Sequence, residues 1–406
     1  MKDYLTNIKN KKVSLDLLIH FFAFISILLI GADKWGFDIG VNIRIDQFFL
    51  VLFTFMLFLK KDSTVHFNFF LFAFLLFSLS SVFFAFNILR SIFFYFSFIY
   101  NTVFLFLSFY NYIKIYGITI FLKLFRLSCY CQVCLFLLQF SLKTFFEFEF
   151  SFLPTYGKYL GVKRFSLWFY EPSYFATYFL FWLTISCVMV FFEKDLSFVK
   201  DIIFNLVILC LSTSSSGFVG IALTFFMVYL IWLSKGISLK KLSLLIIPLC
   251  LLIVIKLAIP SVYNVFIMRL FNTDLNTASG GRIAGWKETF DVFKENCLLG
   301  VGPGNYGLYL GKGTETVPSN VTLELFATVG IFAALSFILL NASLIIRCFK
   351  KYKENRENNV ILAFGLAFLV FLIILQFNQG YLRLYHWMFL GVIEGLLLEK
   401  PKLSRE

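Results

Sequence analysis

The side chains able to do chemistry in this chain sit in a few places. Glu171 stands directly before Pro172-Ser173, where a long apolar run begins, and Glu324 lies a few residues inside another such run, in Val321-Thr322-Leu323-Glu324-Leu325. A carboxylate at the edge of a membrane helix suits general-base work, and an ionisable residue at membrane depth is costly enough to be a functional candidate by default. Arg282 opens a polar stretch in which Ile283, Trp286, Phe290 and Phe293 recur at helical spacing, and Arg164 follows Lys163 shortly before Glu171. The run Gly300-Val301-Gly302-Pro303-Gly304-Asn305-Tyr306-Gly307 allows positive φ and close approach of backbone to a ligand, although turns of this composition often do nothing more than turn. Ser212-Thr213-Ser214-Ser215-Ser216-Gly217 offers hydroxyls that suit sugar or phosphate, or that cap the next helix.

Other chemistries find no support. His20, His66 and His386 are scattered, and Cys129-x-Cys131-x-x-Cys134 lacks a second pair, so no metal site is expected. The glycine run is not followed by Gly-Lys-Ser or Gly-Lys-Thr and is no nucleotide-phosphate loop. No cofactor is expected.

The elements that hold these residues follow from composition. Of 406 residues 60% are hydrophobic, and the mean hydropathy is +0.85. That is too apolar for a soluble domain, where about 45 to 50% is usual. The apolar residues come in blocks of roughly 15 to 25, the length of a membrane-crossing helix, without the alternation of a membrane barrel. The expected fold is all-α: a polytopic helical bundle of about 12 spans in one domain, 1–406. The spans are placed at 15–31, 46–59, 67–86, 91–112, 118–141, 172–192, 201–213, 217–234, 243–259, 321–345, 359–378 and 382–398. The first block lacks an A-x-A site after it and reads as a retained span rather than a cleaved signal.

The net charge of +13 resides in the breaks between spans, which argues for topology and against nucleic acid. Lys60-Lys61, Lys194 with Lys200, Lys235 with Lys240-Lys241, and Arg347, Lys350, Lys351, Lys353 and Arg356 fall on one side. The short breaks on the other side hold far fewer: Lys34, Arg44, Arg90 and Arg383. The positive-inside rule then puts both termini in the cytoplasm and two longer loops outside, 143–171 and 260–320. The larger loop should hold an amphipathic helix, with Ser279 as its cap and Arg282 in its first turn.

In order and spacing, Gly280-Gly281-Arg282, Trp286, Phe290, Gly300-Val301-Gly302-Pro303-Gly304-Asn305, Ser319-Asn320, Leu323-Glu324 and Gly330-Ile331 resemble the O-antigen polymerase and ligase superfamily. Glu171-Pro172-Ser173 after a basic residue is more similar to the Wzy-type polymerases than to the WaaL-type ligases. Ser319 stands where ligases carry histidine, and the serine-rich turn lacks the arginine many relatives have there.

The resemblance implies an enzyme of the bacterial cytoplasmic (inner) membrane. It would be a metal-independent glycosyltransferase that joins undecaprenyl-pyrophosphate-linked oligosaccharide units into O-antigen or capsular polysaccharide. Its partners would be that lipid-linked oligosaccharide, the bilayer, a chain-length regulator and a flippase. Arg282, then Arg164, would stabilise the departing diphosphate, since guanidinium groups match phosphate oxygens bidentately. Glu171 or Glu324 would act as base. Trp286 and Tyr306 would stack on sugars, Gly302, Gly304 and Asn305 would shape the outer wall, and Asn320 and Ser215 complete the substrate-binding set. An O-antigen ligase is the alternative within this chemistry, and a lipid-linked oligosaccharide flippase the alternative outside it.

Overall fold

The computed structural model describes residues 14–38, 42–150, 157–159, 162–234, 282–314 and 316–398, with single positions at 153, 155, 253, 256 and 257. Helices are α1 (Leu15–Leu29), α2 (Ile45–Phe58), α3 (Phe69–Phe83), α4 (Ile88–Tyr116), α5 (Ile118–Phe145), α6 (Pro172–Glu193), α7 (Val199–Leu211), α8 (Ser215–Ser234), α9 (Arg282–Glu295), α10 (Val321–Glu354), α11 (Asn359–Phe377) and α12 (Leu384–Leu398). Two small antiparallel hairpins sit in the breaks after α1 and α5: β1 (Gly36–Asp38) with β2 (Asn42–Arg44), and β3 (Lys158–Tyr159) with β4 (Val162–Lys163).

Helix starts follow local chemistry. Asn68, Asn87, Asn320 and Asn358 each accept first-turn N–H groups through the side chain, which supplies partners that the helix itself cannot. Pro172 takes the first turn of α6, where its missing N–H costs nothing. Among the described residues six helices, α4, α5, α6, α8, α10 and α11, are long and apolar enough to cross a membrane. The shorter apolar helices α1, α2, α3 and α12 have 14 or 15 residues, about 21 to 23 Å. Buried non-helical residues such as Ile30 and Ala32 lengthen α1 at its end.

Helix α6 is the axis of the bundle: every residue from Pro172 to Val188 is buried, against α7, α8 and α11. Phe181 of α6 stacks on Phe389 of α12 with ring centroids 3.6 Å apart. Phe48, Phe55, Phe72 and Phe96 lie exposed on the periphery, as expected of a surface that faces lipid.

Side-chain contacts sort the interhelical breaks into two ends. One end joins Asp16 to Lys60 and Tyr116, His66 to Glu394, Arg347 to Glu394, and Lys351 to the Leu396 and Leu397 carbonyls. The other joins Lys34 to Ser166, Asp33 to Arg44 and Arg383, Arg90 to Gly304, and Asn320 to Gln376. The first set coincides with the breaks expected inside and the second with those expected outside. Of the expected spans, 243–259 lies outside the described residues but for 253, 256 and 257; each of the others falls on a helix.

The glycine run has a specific task. Helix α10 is broken at Gly330 (φ 78°, ψ 176°), a conformation open essentially to glycine alone. The break frees carbonyls, and the glycine run claims them: Val301 N–H donates to Ala327 and Gly302 N–H to Thr328, at 3.0 and 2.9 Å, while Ile331 N–H donates to Cys297 at 3.0 Å. A Cβ at Gly330 would lie 2.2 Å from the Leu298 carbonyl oxygen, and one at Gly300 would lie 2.4 Å from the Thr328 backbone. The outer half-helix 321–329, which carries Glu324, is thereby held at its own angle. Gly330→Ala should destabilise the protein by about 3 kcal/mol or more, combining φ strain with backbone collision. Thermal unfolding in detergent measures this, and an unchanged midpoint would mean the break is not required.

Helix α9 forms as expected but starts, among the described residues, at Arg282; Ser279, Gly280 and Gly281 lie outside them. It packs against α10. The apolar stripe divides: Phe293 packs on Phe326 (5.2 Å) and Trp286 on Phe377 (5.9 Å), whereas Ile283 and Phe290 are exposed and Thr289 and Val292 are the buried residues. A helix between bundle and lipid can keep apolar groups on both sides, so periodicity alone did not define its inner face.

Candidate functional site

The segment between α11 and α12, residues 378–383, ties the outer end together. Asn378 donates to Thr177 of α6 (3.0 Å). Gln379 Nε2 donates to Glu324 Oε1 (3.2 Å), while Gln379 Oε1 accepts from Tyr174 OH (3.3 Å). Arg383 lies over the Tyr174 ring at 3.8 Å, a cation–π contact, and pairs with Asp33 at 2.8 Å. Asp33 also pairs with Arg44, which the β1–β2 hairpin returns to it, and accepts from the Tyr170 N–H at 3.3 Å. A continuous chain of contacts thus runs from Glu324 through Gln379, Tyr174 and Arg383 to Asp33 and Arg44.

Glu324 is 4% exposed, and its second oxygen, Oε2, has no hydrogen-bond partner among the described residues. A buried carboxylate oxygen left without a donor is expensive and invites a ligand hydroxyl. Glu171 is the residue before α6 and accepts from Ser173 Oγ at 2.9 Å. Tyr174 lies within electrostatic reach of both carboxylates, so both border one region. Asn320 caps α10 and donates to the Gln376 carbonyl at 3.0 Å, which fixes α10 to the same segment. Trp286 reaches this region through Phe377, and Arg282, partly buried, lies one helical turn before it on the same face.

Of the remaining expected residues, Tyr306 also lies within electrostatic reach of Glu324. Gly302 and Gly304 (φ 92° and 78°) press on Ala85, Ser91 and Phe94 at the start of α4. Asn305 is fully buried and donates to the Asn87 carbonyl, Ser91 Oγ and the Val301 carbonyl. Tyr306 OH meets Thr289 at 2.9 Å and donates to Glu288 at 3.4 Å, and burial pushes its phenol up to about 12. Arg164 follows the β3–β4 hairpin, its N–H donating to the Gly157 carbonyl. Ser215 opens α8, where Ser214 Oγ accepts from Gly217 N–H and meets Ser216 Oγ, a helix-capping arrangement. Lys34 donates to Ser166 and the Leu167 carbonyl, and burial pulls its ammonium down to about 8 against the neighbouring Asp33 and Glu149 carboxylates.

Sequence reasoning did not place Asp33, Arg44, Tyr174, Gln379 and Arg383 at the site. The signal available was the retention of Arg44 and Arg383 on the side poor in basic residues, with Asp33 beside Lys34. Cations that topology does not require call for another reason. Among the described residues no group of His, Cys, Asp and Glu has metal-binding geometry.

Residues 202–338, about a third of the chain, match the family model described as O-antigen ligase. The matched segment contains Arg282, Trp286, the glycine run and Glu324, and ends just past the break at Gly330. No curated protein matches the chain with significance. The match supports the O-antigen polymerase and ligase superfamily, and the chain is a multi-pass membrane protein.

Proposed function

We propose that this chain polymerises lipid-linked oligosaccharide units on the outer face of the cytoplasmic membrane, through about 12 spans with both termini inside. The observation that carries this reading is Glu324. It is a buried carboxylate inside the family-matched segment, with one oxygen oriented by Gln379 and the other without a hydrogen-bond partner among the described residues. Glu324 takes the proton of an acceptor sugar hydroxyl, the hydroxyl oxygen bonds to the anomeric carbon of the donor glycan, and the bond from that carbon to the lipid diphosphate breaks. The diphosphate leaves with the electron pair. Arg282 stabilises the charge that develops on it, and Trp286 faces the sugar. Glu171, on the far side of Tyr174, orients the acceptor.

Purified protein incubated with undecaprenyl-diphosphate-linked repeat units alone should yield a ladder of long glycans. A ligase reading has its own support in the description of the matched family; it requires a separate core acceptor and gives no ladder under these conditions. Against it stands Ser319, where the ligases have histidine. Arg282→Ala should cut the rate about ten- to hundredfold, the worth of one charge-assisted hydrogen bond of about 1.5 to 3 kcal/mol. Membrane insertion and thermal stability should be preserved. Wild-type chain lengths from this variant would remove Arg282 from the site.

A further inference from the structure

A cavity of about 670 Å³ opens beside the charged cluster, between α2 and α4. Its upper end is formed by Asp33, Arg44, Tyr170 and Arg383. From there it descends one face of α4, along Phe93, Ser97, Tyr100 and Phe104, a helical spacing that covers about 16 Å. That is about half of a 30 Å hydrocarbon core, the depth of one leaflet. Phe93 and Phe96 at its mouth are 47% and 59% exposed on the lipid-facing side. The wall is aromatic, and Ser97, also exposed, is the small residue that keeps the middle open. Tyr100 OH donates to the Gln47 carbonyl (2.9 Å) and closes the back between α4 and α2.

We infer that this slot binds the polyprenyl chain of the acceptor unit, with its diphosphate at Arg44 and Arg383, as a second lipid site apart from the donor site at Arg282. The inference rests on the polymerase reading above, in which two lipid diphosphates must be held at once. The assignment to acceptor follows from charge. Arg44 and Arg383 share Asp33, and Arg44 also lies 3.3 Å from Asp46. Cations already paired hold an anion whose charge does not change; they are poorly suited to a leaving group that gains charge. The acceptor diphosphate is a bystander of that kind. Arg383 lies on Tyr174, which reaches Glu324 through Gln379, so a head group held at Arg383 would present its sugar toward that carboxylate.

The test uses the full-length protein in nanodiscs and a sugar-free undecaprenyl diphosphate with a photoreactive group near mid-chain, a probe that cannot react as a donor glycan. Cross-links should map to 93–104 on α4. A tenfold excess of phosphatidylglycerol should not displace them, and Ser97→Trp, which fills the slot, should reduce them at least tenfold. Cross-links confined to α9 and α10, or equal displacement by phosphatidylglycerol, would overturn the inference; the latter would make the slot a general lipid groove. In polymer assays, Ser97→Trp should raise the KM for a full-length acceptor about tenfold and leave a short-chain acceptor unaffected. An equal loss with both acceptors would mean the change is merely structural, and the inference would fall. Polymer formation without slot cross-links sinks the slot and spares the polymerase reading. Slot cross-links without polymer from repeat units do the reverse, leaving a lipid-diphosphate site but removing its assignment to an acceptor.

Discussion

Glu324→Gln should lower the polymerisation rate by about 10² to 10⁴, the usual worth of a positioned general base. The amide preserves volume and still accepts from Gln379 Nε2, so the outer half of α10 should keep its place and stability should change little. Glu171→Gln is the control that separates the two carboxylates. Glu171 is more exposed than Glu324 and already accepts from Ser173, so its loss should weaken acceptor binding, a KM effect, more than the chemical step. If Glu171→Gln abolished turnover and Glu324→Gln retained it, the roles would have to be exchanged. If both retained it, neither carboxylate would be the base.

The proposed role of Glu324 as the base rests on a feature that its position in the sequence hides. In an uninterrupted helix, Glu324 would be one more ionisable residue near the start of a span, free to snorkel to the interface. The break at Gly330 sets the outer half-helix apart from the inner one, and the glycine run locks it there through the bonds to Ala327 and Thr328. Both glycines were visible in the sequence as parts of a resemblance. Their pairing was not, because a positive-φ glycine in an apolar run looks like any tolerated glycine until its partner, 30 positions earlier, is brought against it.

Local signals read well for the same physical reason that long-range ones did not. Pro172 at the start of α6 and the helical spacing around Trp286 depend on neighbours within a turn or two, and each appears where the pattern puts it. The charge count separated two sets of breaks that the contacts also separate. Arg44 and Arg383 entered that count only as topology, and Asp33 did not enter it. What brings them together is the meeting of two outer breaks far apart in the chain, and no periodicity encodes that. The glycine run was legible as a place of close backbone approach, but the structure brings it against α4 and α10.

Asp33→Ala should be the most damaging single change at the outer end, lowering stability by about 3 to 5 kcal/mol as well as stopping activity. Asp33 is 5% exposed, and its partners Arg44 and Arg383 are 15% and 18% exposed. Removing the shared anion leaves the mostly buried Arg383 guanidinium without its ion-pair partner and Arg44 with Asp46 at 3.3 Å, and the loss comes mainly from the charge left uncompensated at Arg383. The double variant Asp33→Ala with Arg383→Met should therefore be more stable than Asp33→Ala alone, because the stranded cation is gone while Arg44 stays beside Asp46. Activity should not return with stability, since the acceptor head would still lack one of its two cations. Thermal unfolding of wild type, both singles and the double gives the coupling energy directly. A double variant no more stable than Asp33→Ala would mean that packing, rather than charge balance, makes Asp33 matter, and the reading of Arg383 as a cation held in reserve by Asp33 would fail with it.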